Sequence, residues 1–285
     1  MLTINTSDIS PLELQGYLQS AIAPRPICLA STIDKEGQVN LSPFSYFNLF
    51  SMNPPICIFS PSRRVRDNTT KHTLENLKEV PECVINIVNY AMVQQVSLSS
   101  CEYPKNINEF TKAGFTQIPS DLVAPPRVAE SPIQLECTVA QIIALGEKAG
   151  AGNLVLAEIK KIHIAEAVLN ANNKIDQAKL DLVARLGGDW YARINEQNLF
   201  EVTKPNTQLG MGFDVLPKFI REHTGLSNNE KAQLANCTTL PESIAKNSGI
   251  GLQLTDENLG AIKKELAGNN AQAAWAIIET LIVRQ

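Results

Sequence analysis

The chain has 285 residues, 44% hydrophobic and 19% charged. That length buries a full core, and the composition excludes a disordered polymer. A formal charge of −4 argues against a general nucleic-acid or anionic-membrane surface. No apolar stretch reaches the roughly 20 residues of a membrane span. The opening Met-Leu-Thr-Ile-Asn-Thr-Ser-Asp lacks a basic segment followed by an apolar run. The expectation is a folded cytoplasmic protein with no nucleic-acid and no membrane partner.

Residues 1–25 read as a lead-in with a short helix near 11–20. Pro26–Asp34 reads as a strand, with Asp34-Lys-Glu-Gly37 as the turn before Gln38–Leu41. Ile56–Ser60 is the next strand, placed after Pro54-Pro55 because a proline pair does not sit inside a ladder. Asn68–Glu79 reads as a helix, Cys83–Val88 as a buried strand, and residues 91–99 as a short helix. Ile133–Leu145 and Asn153–Glu166 are two long strands joined by the turn Gly146–Gly152. Strands alternating with short helices, without a long βαβ rhythm, favour a β-barrel with helical insertions over a doubly wound sheet.

The character changes after Pro205. Ser227-x-x-Glu230 is a capping box opening a helix to about Ala235, and Thr255 starts another. Ala274, Ile277, Ile278 and Leu281 fall at helical spacing. The expected organisation is a barrel over residues 1–205 and a helical extension over 206–285. The apolar stripe of the extension points to packing or a dimer surface.

The six cysteines stand at 28, 57, 83, 101, 137 and 237, with no Cys-x-x-Cys pair. A structural zinc site is not expected, nor any other metal. Cys28, Cys57, Cys83 and Cys137 lie in apolar, strand-like runs and read as reduced core thiols.

Two segments carry chemistry. Ser42-Pro-Phe-Ser-Tyr-Phe-Asn-Leu-Phe-Ser-Met52 combines hydroxyls, an amide and aromatics with little charge. Ser42, Ser45 and Asn48, with the backbone amides around them, match the acceptors and single donor on the edge of an isoalloxazine ring. Phe44, Tyr46 and Phe47 can pack on such a ring or against a barrel, since alternation sends every second residue of an extended run inward. About twenty residues on, Arg63, Arg64, Arg66 and Lys71 supply positive charge. Ser60, Ser62, Thr69, Thr70 and Thr73 supply hydroxyls, and His72 a ring nitrogen. Fixed charge with several donors, at the start of a helix, suits a dianionic phosphate. The same residues also fit a solvated loop before an ordinary capped helix. A ring-binding and a phosphate-binding segment separated by one strand suggest a flavin mononucleotide (FMN) site.

No catalytic triad, P-loop or Gly-x-Gly-x-x-Gly after a strand is present, so nucleophilic hydrolysis and a Rossmann site lose support. His163, in Lys160-Lys-Ile-His-Ile164, reads as a strand-face histidine or a catalytic one. Gly187-Gly188 allows a tight turn or a close approach of backbone to a ligand.

The chain resembles the flavin reductase-like family with the FMN-binding split-barrel fold, which includes flavoredoxin. The resemblance is carried by Ala23-Pro-Arg-Pro-Ile27 with Ala30-Ser-Thr32, and by Asn40-Leu-Ser-Pro-Phe-Ser-Tyr-Phe-Asn48 with Pro54-Pro55. Lys71-His-Thr73 with Asn76 and Glu82-Cys-Val-Ile-Asn86 extend it. Pro126-Arg-Val-Ala-Glu-Ser-Pro132 with Leu135-Glu-Cys137, and Arg185-Leu-Gly-Gly188 with Tyr191, complete it over roughly residues 20–200.

The resemblance implies an α+β protein, mainly β: a six-stranded, Greek-key-type barrel binding FMN non-covalently, as a homodimer with the flavin near the interface. The family's Ser-rich segment maps onto Ser42, Pro43, Phe44, Ser45, Tyr46 and Asn48. Its Lys-Asp-Thr motif, beside the phosphate, maps onto Lys71, His72 and Thr73, with His72 replacing the acid. The implied activity is an oxidoreductase in which NAD(P)H reduces the flavin and the flavin passes electrons to an acceptor. The alternative is a flavoredoxin-like electron carrier reduced by a protein donor. No residue is singled out as a catalytic acid or base.

Overall fold

The computed structural model describes residues 1–202, 208–246 and 254–283. The chain forms two compact units, Met1–Leu199 and Phe200–Gln285. The boundary expected at residue 205 lies outside the described residues. No described helix is long and apolar enough to cross a membrane.

The first unit opens with α1 (Pro11–Ala21), where the Ser10 hydroxyl accepts the Glu13 amide and proline occupies the first turn. Five strands follow: β1 (Arg25–Pro26), β2 (Cys28–Ile33), β3 (Val39–Phe44), β4 (Phe47–Met52) and β5 (Pro55–Phe59). After α2 (His72–Glu79) come β6 (Glu82–Ile87), a 3-10 turn at Tyr90–Met92, α3 (Val93–Leu98) and α4 (Glu109–Ala113). The short pair β7 (Gln117–Ile118) and β8 (Arg127–Val128) precedes the long strands β9 (Ile133–Ala144) and β10 (Asn153–Ile164). The unit ends with α5 (Gln177–Leu180), β11 (Val183–Arg185) and β12 (Tyr191–Arg193).

Seven strands form one antiparallel sheet in the order β3-β2-β6-β9-β10-β5-β4. Laid flat, its two edges would stand about 29 Å apart at the usual strand spacing. They are β3 and β4, which only Ser45 and Tyr46 join, a span of at most about 11 Å. The sheet must therefore curl until its edges meet, giving a barrel with a seam at Ser45–Tyr46. Register shifts in β9–β10 and β4–β5 mark bulges that help it bend.

The resemblance implied six strands, and seven form. The segment read only as ring-binding is itself a strand over Phe47–Met52, and Met52 opposite Pro55 closes its hairpin with β5. Pro55 takes the first position of the strand, where its missing N–H is tolerated.

Alternation divides the strands between two cores. Cys28, Cys57, Phe59, Cys83, Ile85 and Val155 face the barrel interior. Leu29 and Leu41 face outward against Val96 of α3 and Phe110 of α4. All four strand cysteines are free and buried, as expected. Burial pushes the Cys28 thiol far above its ordinary range, which leaves it an inert hydrophobe.

Glu109, the first residue of α4, is buried, and its carboxylate accepts the Leu41 amide at 3.0 Å. Burial raises its pKa, with that amide opposing. Because the folded protein holds this proton more tightly than the unfolded chain, stability falls as pH climbs from about 4.3 through the raised value, then levels off. Glu109→Gln keeps the acceptor and removes the titration. The difference in urea midpoint between variant and wild type should grow in the variant's favour from pH 4 to 7, and a constant difference would clear Glu109 of this role.

The second unit comprises α6 (Lys218–Arg221), α7 (Asn228–Ala235), α8 (Glu242–Lys246), α9 (Asp256–Ala267) and α10 (Ala271–Val283). Ser227 and Glu230 form the expected capping box, and Thr255 caps α9. Ile220, Leu234, Ile244, Ile262, Ala274 and Ile278 build its own core, where Trp275 donates its indole N–H to the Leu234 carbonyl at 3.1 Å.

Candidate functional site

The two chemistry-bearing segments leave the barrel side by side. Phe47 opens β4 opposite Phe59, which closes β5, and the Ser60 amide donates to the Tyr46 carbonyl at 2.9 Å. Ser60 itself is buried against Gly152, where an added Cβ would lie 2.7 Å from its hydroxyl.

The loop after Ser60 is held by its own arginines. Arg63 donates through Nε to Asn68 Oδ1 at 2.6 Å and through its terminal nitrogen to the Asn68 carbonyl at 2.5 Å. Arg64 donates to Thr69 Oγ1 at 3.0 Å, to the Thr70 carbonyl, and to Glu102 at 3.2 Å. Arg66 pairs with Asp67 and Glu102 at 3.2 and 2.9 Å. The hydroxyl and amide of Thr69 hold the Asp67 carboxyl down to about 2.

This clasp explains why α2 begins at His72 rather than at Asn68. Asn68 takes a left-handed φ of 58°, which a helix start does not allow, and its carbonyl already serves Arg63. The helix start therefore falls on the Lys71-His72-Thr73 motif, with Lys71 as N-cap and no side chain capping the first-turn amides.

Lys71 is half-buried, and its ammonium has neither hydrogen bond nor ion pair among the described residues. Burial and the neighbouring Arg64 hold its ammonium below the ordinary lysine range, with Glu102 opposing. Such a cation is short of a counter-ion. Burial likewise lowers the His72 pKa, against the pull of Glu75. Thr73 is turned inward, where its hydroxyl accepts the Asn40 amide at 3.0 Å. That bond ties α2 to β3, and Ser42 lies two residues along β3 on the same side.

The remaining ring-type residues divide. Phe44 is buried, its ring 5.2 Å from that of Phe59, so it is core. Pro43 and Ser45 line a cavity of about 720 Å³ between the barrel, α3 and the β11–β12 hairpin. Tyr46 is exposed, its hydroxyl accepting Gln19 at 3.2 Å. Asn48 is exposed on the edge strand, and its Oδ1 accepts the Leu49 amide. Arg63, Lys71, His72 and Thr73 do not line the cavity.

Of the three arginines that supply charge in this segment, Arg64 is the one next to Lys71, while Arg63 is taken up by Asn68. Of the cavity wall, the sequence offers Arg185 and Tyr191 only as residues that carry the resemblance, beside the Gly187-Gly188 turn, and does not single out Tyr90. That turn is real: Gly188 has φ 56°, and a Cβ on Gly187 would meet the Ser20 backbone of α1 at 3.0 Å.

His163 is a strand-face residue whose Nε2 lies 2.6 Å from Glu136 Oε1. Burial works to raise the Glu136 carboxyl, but the amides of Asp121 and Leu122 and the imidazole hold it below the usual range. Asp121 is paired with Lys161 at 2.5 Å. Asp121, Glu136 and His163 lie close enough to share a metal, but their donor atoms already fasten the loop at 121–122 to the sheet.

A family profile described as "Flavin reductase like domain" matches residues 20–179. An uncharacterised protein of Halalkalibacterium halodurans is 34% identical, over 72% of this chain and 97% of that one. The structure of nitrilotriacetate monooxygenase component B from Bacillus cereus is 31% identical and superposes with a TM-score of 0.66, covering 71% of this chain and 98% of that one. A flavin reductase with split barrel domain from Shewanella frigidimarina, 22% identical, shares the fold at a TM-score of 0.61, over 72% of this chain and 100% of that one. With a profile spanning more than half the chain laid over a barrel split at Ser45–Tyr46, this protein belongs to the flavin reductase-like family and is a flavin-related oxidoreductase.

Proposed function

We propose that the protein is an FMN-dependent oxidoreductase reduced by NADH or NADPH. The observation that carries the choice of FMN is Lys71, a half-buried ammonium without a partner at the uncapped start of α2. A terminal phosphate monoester, which FMN carries, supplies the missing counter-charge and accepts the first-turn amides. Lys71 and the His72–Thr73 amides would hold that phosphate, with Arg64 reinforcing the charge. Ser42, on the same side of β3 as Asn40, would meet the polyol chain, and Ser45 with the backbone of the seam the ring edge. FMN, when bound, supplies the redox chemistry; the protein supplies position and fixed charge.

Leu49, Phe50 and Met52 on the edge strand β4, with Leu12 and Leu18 on α1, are exposed apolar residues of the same unit. A second copy of the chain would cover them and leave the seam at the interface. Sedimentation velocity checks this through the expected dimer.

An absorbance spectrum of the purified protein, before and after anaerobic NADH or NADPH, tests the activity. A flavin band that bleaches supports the proposal and identifies the donor. A band that persists with both nucleotides shifts the reading to an electron carrier reduced by a protein. No flavin band, even after FMN is added, overturns the site.

A further inference from the structure

The cavity beside the seam has a chemistry that the Lys71 cradle does not use. Its volume of about 720 Å³ is that of a small-molecule site. Ile27, Val96 and Val183 give it a buried apolar floor. Two flat cations stand in its wall, stacked on tyrosines: Arg185 is centred 4.6 Å from the Tyr191 ring and Arg193 3.8 Å from the Tyr90 ring.

The two arginines differ in charge balance. Arg193 is neutralised by two hydrogen bonds to Asp181, at 2.8 and 2.9 Å. Arg185 donates only to the Trp190 carbonyl at 3.0 Å and has no ion pair among the described residues. Its ladder partner is Arg25, which is 7% exposed and donates only to the carbonyls of Gln19, Ile22 and Leu186. The Nε of Arg25 has no hydrogen-bond partner among the described residues. Asp189 is the acid on the cavity wall. It balances Arg185 in charge, and Arg25, behind the wall beside Arg185, adds a further positive charge near the apolar floor. The hydroxyls of Ser45 and Ser97 add neutral donors, while that of Ser100 already donates to the Ser97 carbonyl at 2.6 Å.

A guanidinium offers a carboxylate a forked pair of donors, and its flat face, like a tyrosine ring, stacks on planar groups. We propose that this cavity binds a planar aromatic carboxylate of one or two rings, at a place separate from the Lys71 cradle and sharing with the seam the wall at Pro43, Phe44 and Ser45. The inference goes beyond the flavin reading and, Ser45 apart, stands on different residues.

Benzoate is the test ligand, titrated into the full-length protein with and without added FMN by isothermal calorimetry and tryptophan emission. Trp190 is 75% exposed in the turn held by Arg185, whereas the second tryptophan, Trp275, is buried among the C-terminal helices. Trp190→Phe should therefore remove the optical signal and leave the heat. Benzoate should bind saturably with FMN present. Benzamide, which lacks the charge, and cyclohexanecarboxylate, which lacks the flat ring, should each bind at least tenfold more weakly.

Arg185→Gln should weaken benzoate at least tenfold without changing FMN affinity, while Lys71→Ala should do the reverse. Ser97→Phe, which fills the cavity from an exposed position, is the second variant should Arg185→Gln fail to fold. Absence of saturable heat from benzoate overturns the proposal, as does equal binding of benzamide. Displacement of benzoate by FMN would also overturn it, by making the cavity the flavin's own. Loss of flavin binding alone would overturn the preceding proposal and leave this one standing.

Discussion

Lys71→Ala is expected to weaken FMN binding by about 10- to 150-fold, the equivalent of a charge-assisted contact worth about 1.5–3 kcal/mol. The argument rests on where the ammonium sits. Its charge is partly desolvated and repelled by Arg64, so the anion that meets it gains more than it would from a fully hydrated lysine. FMN affinity should also decline with rising pH sooner than an ordinary lysine would dictate, because deprotonation begins below that range. Lys78, exposed at the other end of α2, is the control, and its alanine variant should bind FMN like wild type. Fluorescence titration of flavin-free protein measures both. An unchanged affinity for Lys71→Ala would remove this residue from the site and with it the reason for preferring a phosphate there.

Phe59→Ala is expected to cost about 3–5 kcal/mol of stability. The side chain is fully buried, its ring tilted at 49° against that of Phe44, and flanked along the sheet by its register partners Phe47 and Val155. Cys28, Ala30, Cys57 and Ala157, which share the interior with it, are too small to swing into the space. Phe59→Leu should cost clearly less, since most of the volume is kept. Urea denaturation of the two variants decides the matter. A loss under about 1 kcal/mol for the alanine would mean that the barrel collapses onto the gap.

Much of the fold is legible in the sequence because its signals are local. The Asp34-Lys-Glu-Gly37 turn is one example: Asp34 Oδ1 accepts the amides of Glu36 and Gln38, and Gly37 supplies φ 82°. The Ser227 capping box and the two long strands around Gly146–Gly152 are others. The errors lie where the folded geometry of a loop or a partner strand decides. Nothing in the residue pattern announces that Arg63, five positions back, will fold over to take the Asn68 carbonyl, so a helix pattern running from 68 to 79 looks unbroken. Phe47–Met52 becomes a strand only because β5 is there to pair with it. At the site, Lys71 stands out as a cation among hydroxyls. The separate duties of Arg63 and Arg64 depend on loop geometry that spacing does not encode. The cavity was beyond reach, since it joins residues near 43, 97 and 185 that only the folded barrel brings together.

The position of β10 between β9 and β5 also governs the order in which the chain can mature. Cys57 and Ala157 are ladder partners 100 positions apart. While the ribosome is still making the intervening segment, the β4–β5 hairpin has no second neighbour, and the side of β5 that β10 will occupy remains an open edge. Closure thus waits for the long hairpin near residue 160, a non-local event of the kind that slows folding. Until then the nascent chain carries a sticky strand, which makes the interval between synthesis of β5 and β10 the period of greatest need for a chaperone.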